Sequence, residues 1–110
     1  MRLATLGLAT LGLALLAGLP ALAAPGDEAC QRELFMADAG VAGSYRALEL
    51  AGSKPEEQCA GWRRQVEALD KAGAAYGRCA VGSLKARKTA EFKSTAADLR
   101  RLVSERCKGK

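Results

Sequence analysis

Four cysteines constrain this chain more than any other feature. They stand at Cys30, Cys59, Cys79 and Cys107 in a sequence of 110 residues that contains no histidine. Zinc sites favour cysteine pairs two to four residues apart, and redox dithiols use C-x-x-C; neither spacing occurs here. An even number of widely separated cysteines in so short a chain points to structural disulfides. No metal ligand set and no cofactor site is expected.

The stretches between the cysteines have a helical period. Cys30, Leu34, Ala37, Val41, Tyr45 and Leu48 step by three or four. Cys59, Trp62, Val66, Leu69, Gly73, Tyr76 and Ala80 do the same, as do Phe92, Ala96, Leu99, Val103 and Cys107. Gly52-Ser53-Lys54-Pro55 and Gly82-Ser83 are turn signals that divide the chain. Ser53 and Glu56 fit a capping box opening the second helix. The expectation is all-α: a three-helix up-down-up bundle with helices over about 28–51, 54–81 and 84–107.

That topology limits the disulfide pairing. Cys59 and Cys79 share one helix and lie about 30 Å apart along it, whereas a disulfide needs Cα atoms within roughly 7 Å. The up-down-up arrangement brings Cys30 to Cys79 at one end and Cys59 to Cys107 at the other. Each bridge closes a loop of about 50 residues, for which chain entropy gives around 4 kcal/mol.

The first residues read Met1-Arg2, then an uncharged run from Leu3 to Leu19, then Ala21-Leu22-Ala23. A basic start, an apolar stretch and a small-x-small end predict a secretory signal peptide over 1–23, cut after Ala23. Gly7, Gly12, Gly18 and Pro20 interrupt the run that would otherwise serve as a membrane anchor. The remainder, 24–110, is expected to be a single helical domain without a transmembrane span. Bacterial export would place it in the periplasm or outside the cell, where disulfides persist.

Cys30, the pentapeptide Pro55-Glu56-Glu57-Gln58-Cys59, then Cys79 and Cys107, resemble a group of small exported four-cysteine helical proteins of alphaproteobacteria. The group is mostly uncharacterised. The resemblance spans nearly all of 24–110 and implies the same fold and compartment, with no activity, ligand or cofactor attached.

Catalysis has few parts to work with. Ser44, Ser53, Ser83, Ser94 and Ser104 have no histidine to activate them, and Glu56-Glu57 sits at a helix start where the dipole accounts for it. The chain is not expected to be an enzyme. Charge is more telling. The net charge is +5, yet Asp27–Asp70 carries nine acidic and five basic residues, against three and eleven in Lys71–Lys110. Lys85, Arg87 and Lys88 crowd the start of the third helix, where the dipole disfavours cations, and Arg100 and Arg101 lie toward its end. These five residues are the candidate patch for an anionic partner. The competing expectation is a solvated face, partly neutralised by Glu91, Asp98 and Glu105 at helical spacing.

Trp62, Tyr45 and Tyr76 follow the apolar repeats and are expected in the core. Gly40, Gly43, Gly73 and Gly77 lie inside helices at about 1 kcal/mol each relative to alanine; they predict close helix–helix approach, or a break in the first helix near Gly40–Gly43. Two function classes follow. The first is a small protein-interaction module of adaptor, inhibitor or immunity type, its protein partner unknown. The second is a binder of anionic envelope surfaces, lipid or lipopolysaccharide, through the basic third helix. Export and the lack of a stacking platform of exposed aromatics with the basic residues argue against nucleic acid as the normal partner.

Overall fold

A computed structural model describes residues 24–109. The expected leader, 1–23, lies outside the described residues. Three helices follow one another: α1, Glu28–Leu50; α2, Pro55–Cys79; and α3, Gly82–Arg106. No strand occurs among the described residues.

Local chemistry sets each helix start. Asp27 caps α1, its carboxylate accepting from the Cys30 and Ala24 backbone N–H groups, both at 2.8 Å. Those bonds favour the ionised form and lower the Asp27 pKa below its ordinary 3.8. The capping box expected at Ser53 does not form. Lys54 is the N-cap, extended at φ −70° and ψ 121°, because the residue before a proline is pushed out of the helical region. Pro55 then takes the first helical position, where its missing N–H costs nothing. Gly52, at φ +68°, turns the chain between α1 and α2, and its carbonyl accepts a 2.8 Å bond from Gln58 Nε2. Between α2 and α3 only Ala80 and Val81 are extended.

The helices run up, down and up with α2 in the middle. It packs along α1 on one side and α3 on the other, while no Cα of α1 comes within 8 Å of a Cα of α3. The core gathers Leu69, Ala72, Tyr76 and Ala80 with Phe92 and Ala96 of α3; Leu34, Ala37, Val41 and Leu99 pack against it. The Tyr76 and Phe92 rings lie 5.5 Å apart. Disulfides Cys30–Cys79 and Cys59–Cys107 pin α2 to its neighbours at opposite ends, with Cα separations of 5.0 and 5.8 Å. The pairing is the one expected from helix length together with the up-down-up topology.

Three expectations need correcting. Trp62 is only half-buried, so the centre of the core lies further along α2, at Leu69 and Tyr76. Tyr45 is 44% exposed. The buried line of α1 passes from Val41 to Ser44 and on to Leu48, which turns Tyr45 outward. Finally, α1 is continuous through Gly40 and Gly43, and these glycines do not mark close approach. A Cβ at Gly40, Gly43 or Gly77 would meet nothing within 4 Å.

Candidate functional site

The least satisfied surface of the molecule is on α1. This helix buries Cys30, Leu34, Ala37, Val41, Ser44 and Leu48 wholly or partly against α2. By the 3.6-residue period, Phe35, Met36, Ala39, Gly40, Ala42, Gly43, Arg46, Ala47 and Leu50 form a second, outer arc. All are exposed, and Arg46 is the only charged residue among them. Phe35 is 71% exposed, Met36 61% and Leu50 81%. A surface helix ordinarily turns a charged face to water; on α1 the exposed Asp38 and Glu49 lie to one side of this arc, which is itself apolar apart from Arg46.

Beside this arc, the seam between α1 and α2 opens into a groove. One half, about 360 Å³, is lined by Met36, Ala37, Gly40, Gly43, Ser44 and Ala47, with Arg64, Glu67, Ala68 and Lys71 as the facing wall. It continues past Met36, Ala37 and Lys71 to Glu33, Ala74, Ala75 and Arg78. Arg64, Lys71 and Arg78 recur every seven residues and so lie along one line of α2. Arg78 is ion-paired with Glu33. Arg64 and Lys71 pair with no carboxylate among the described residues. The hydroxyl of Ser44 turns back to the Val41 carbonyl at 2.7 Å, away from nucleophilic work.

The five residues of the candidate basic patch do not form one site. Lys88 lies 3.8 Å from a Glu91 carboxylate oxygen and over the Phe92 ring. Arg100 pairs with Asp70 of α2, and Arg101 with Asp98 at 3.2 Å. Arg87 and Arg101, fourteen residues apart, fall on the solvent side of α3, whereas Arg100 reaches toward α2. Lys85 and Arg87 alone of the five have no carboxylate partner among the described residues. Both stand at the start of α3.

One cluster of metal-type donors occurs among the described residues: Cys30, Glu33 and Cys79. Its sulfurs are bonded to each other, so neither can act as a thiolate ligand. Glu33 Oε2 lies 3.1 Å from the Cys79 sulfur. A disulfide sulfur has no proton to donate, and Glu33 is held by Arg78.

Sequence reasoning missed the groove because it assigned the small residues of α1 to the interior. The signal was present: residues 39–43, Ala-Gly-Val-Ala-Gly, carry no charge on any side of the helix. Comparison with protein-family models, with curated proteins and with solved structures found no match.

Proposed function

We propose that this protein is a non-catalytic interaction module, exported by a signal peptide to the periplasm or beyond, that docks a partner protein on the α1–α2 groove. The observation that carries this reading is the outer arc of α1, apolar and exposed from Phe35 to Leu50. A rigid scaffold suits such a role. Cys30–Cys79 ties the two groove-forming helices together at one end, and Cys59–Cys107 ties α2 to α3 at the other, which lowers the ordering cost of binding. On this reading the protein acts as an adaptor, an inhibitor or an immunity-type protein.

The test is photo-crosslinking in cells from a reactive amino acid placed at Met36, compared with the same group at Ser94 on α3. One dominant protein adduct from Met36, absent from Ser94, is the expected result. Equal or no labelling from the two positions would remove the docking role.

A second reading has one observation in its favour. Lys85 and Arg87 are unpaired, and the first turn of α3 contains no acidic residue. On this reading the start of α3 meets anionic lipid or lipopolysaccharide. Flotation with anionic vesicles should then fall with rising salt and on Lys85→Glu with Arg87→Glu; vesicle binding indifferent to both would discard it.

A further inference from the structure

We infer that the groove between α1 and α2 seats a single amphipathic helix of the partner. That helix presents small or apolar side chains to the floor and carboxylates, seven residues apart, to Arg64 and Lys71. The inference rests on the docking reading above and specifies the chemistry of what docks.

Shape comes first. The groove runs from Glu33 to Ala47 along α1, about 21 Å at 1.5 Å per residue, which matches four turns of a partner helix. Apart from Met36 and Ser44, its α1 floor consists of Ala37, Gly40, Gly43 and Ala47, small residues that leave room for a helical ridge. A flat membrane would touch the rim and miss the floor. Gly40 and Gly43 support this. Each weakens α1 by about 1 kcal/mol relative to alanine, and neither is required by any neighbour among the described residues. Space at these two positions is explained by something that approaches the α1 backbone from outside.

Charge comes second. Five charged side chains line the groove: Arg64, Glu67 and Lys71 in the half beside Gly40 and Gly43, then Glu33 and Arg78 toward the other end. Glu33 and Arg78 satisfy each other. Glu67 stands between Arg64 and Lys71 without an ion pair to either. The open wall therefore reads plus, minus, plus, over about 10 Å. Its complement is a helix with acidic residues at i and i+7 and a basic or neutral residue between them, as flanking charges select partners in coiled coils. A wholly basic or uncharged helix would leave both cations desolvated and unpaired.

The experiment displays a library of 18-residue helical peptides, randomised at the groove-facing and flanking positions, and selects it on the disulfide-intact protein. Enriched peptides should carry Asp or Glu seven residues apart beside an Ala, Gly or Leu ridge. Their affinity should fall at least tenfold on Arg64→Glu with Lys71→Glu, and binding should vanish on Gly43→Phe, which fills the floor. Helicity and non-reducing disulfide mapping of each variant show that the fold is intact. Enrichment of basic or uncharged peptides that Gly43→Phe still blocks would overturn the acidic helix and leave the docking reading standing. No enrichment above the Gly43→Phe background would overturn a helix in the groove, while crosslinking from Met36 decides docking separately. A dimer in sedimentation that Gly43→Phe dissolves would put a second copy there instead and overturn the inference. Vesicle binding lost on Phe35→Ser and Met36→Ser would overturn it in favour of a membrane.

Discussion

A Cβ on Gly61 would stand 2.9 Å from Cδ1 of Leu48 and 3.7 Å from the Leu48 Cα. Here α2 packs tightly on Leu48 of α1, and glycine is what allows it. Alanine at this position gains about 1 kcal/mol in helix propensity and displaces only the end of a flexible leucine. Gly61→Ala is therefore expected to leave stability within about 1 kcal/mol of the parent. Gly61→Val presses a branched side chain on the Leu48 backbone and is expected to lose about 1–3 kcal/mol, the usual result of overpacking. Urea unfolding under oxidising conditions reads both. Equal losses for Ala and Val would show that Leu48 cannot move.

Gly40 and Gly43 should respond in the opposite sense. Both lie in the middle of α1 with helical neighbours and nothing within 4 Å of the missing Cβ. Gly40→Ala and Gly43→Ala are each expected to stabilise the protein by about 0.8–1 kcal/mol. Substitutions that strengthen a fold while narrowing a binding groove are a familiar form of trade-off. Destabilisation by either alanine would place an unseen neighbour against α1 and contradict the open groove.

The Tyr76 hydroxyl donates to Asp38 at 2.9 Å and joins α1 to α2 beside the core. Burial raises its pKa above the usual 10.0, and the hydrogen bond and negative charge of Asp38 add to the shift. The neutral phenol is thus favoured in the folded state. Its contribution to stability is fully present below pH 10 and is lost as pH rises through the higher folded pKa. Tyr76→Phe is expected to cost about 0.5–1.5 kcal/mol near neutral pH and to flatten the decline as pH rises above 10.0. The comparison with the variant removes the general effect of deprotonating lysines. Parallel pH profiles for parent and variant would contradict a coupled Tyr76.

The two bridges should be unequal in consequence for binding and similar in consequence for stability. Each closes nearly the same length of chain, with sequence separations of 49 and 48. Replacing either pair by serine is expected to cost about 2–5 kcal/mol. Loss of Cys30–Cys79 releases the end of α1 that carries Glu33, at one end of the groove, whereas Cys59–Cys107 holds α3. Partner binding should weaken more in the first variant. Equal weakening would show that the groove depends on the whole bundle.

Much of this architecture was legible because it rests on strong rules. Helix length alone kept Cys59 from Cys79, and the three-and-four stepping around Leu69, Tyr76 and Phe92 located the core. The faults came where two faces of one helix looked alike. Residues Ala37 to Gly43 are apolar or small except for Asp38, so their period does not say which side is buried, and Tyr45 was placed inward. The basic third helix suffered from a different ambiguity. Counting charges could not reveal that Asp70 on α2 neutralises Arg100, because that pair crosses between helices.

Gln65 offers the last test, in the seam of α2 itself. It is 2% exposed, and its Oε1 accepts no hydrogen bond from any described residue. A buried amide oxygen without a partner ordinarily costs about 1–3 kcal/mol. Methionine matches glutamine in length and removes that cost without overfilling the site. Gln65→Met is expected to stabilise the protein by about 1 kcal/mol, a rise of roughly 4–8 °C in Tm for a domain of this size. Gln65→Glu should do the reverse and lose several kcal/mol near neutral pH, because an unpaired charge would be buried there. The penalty should shrink toward pH 4, where the added carboxyl takes up a proton. A Met variant less stable than the parent would mean that the carbonyl is satisfied by an internal water, and that the polar seam holds α1 and α2 in register.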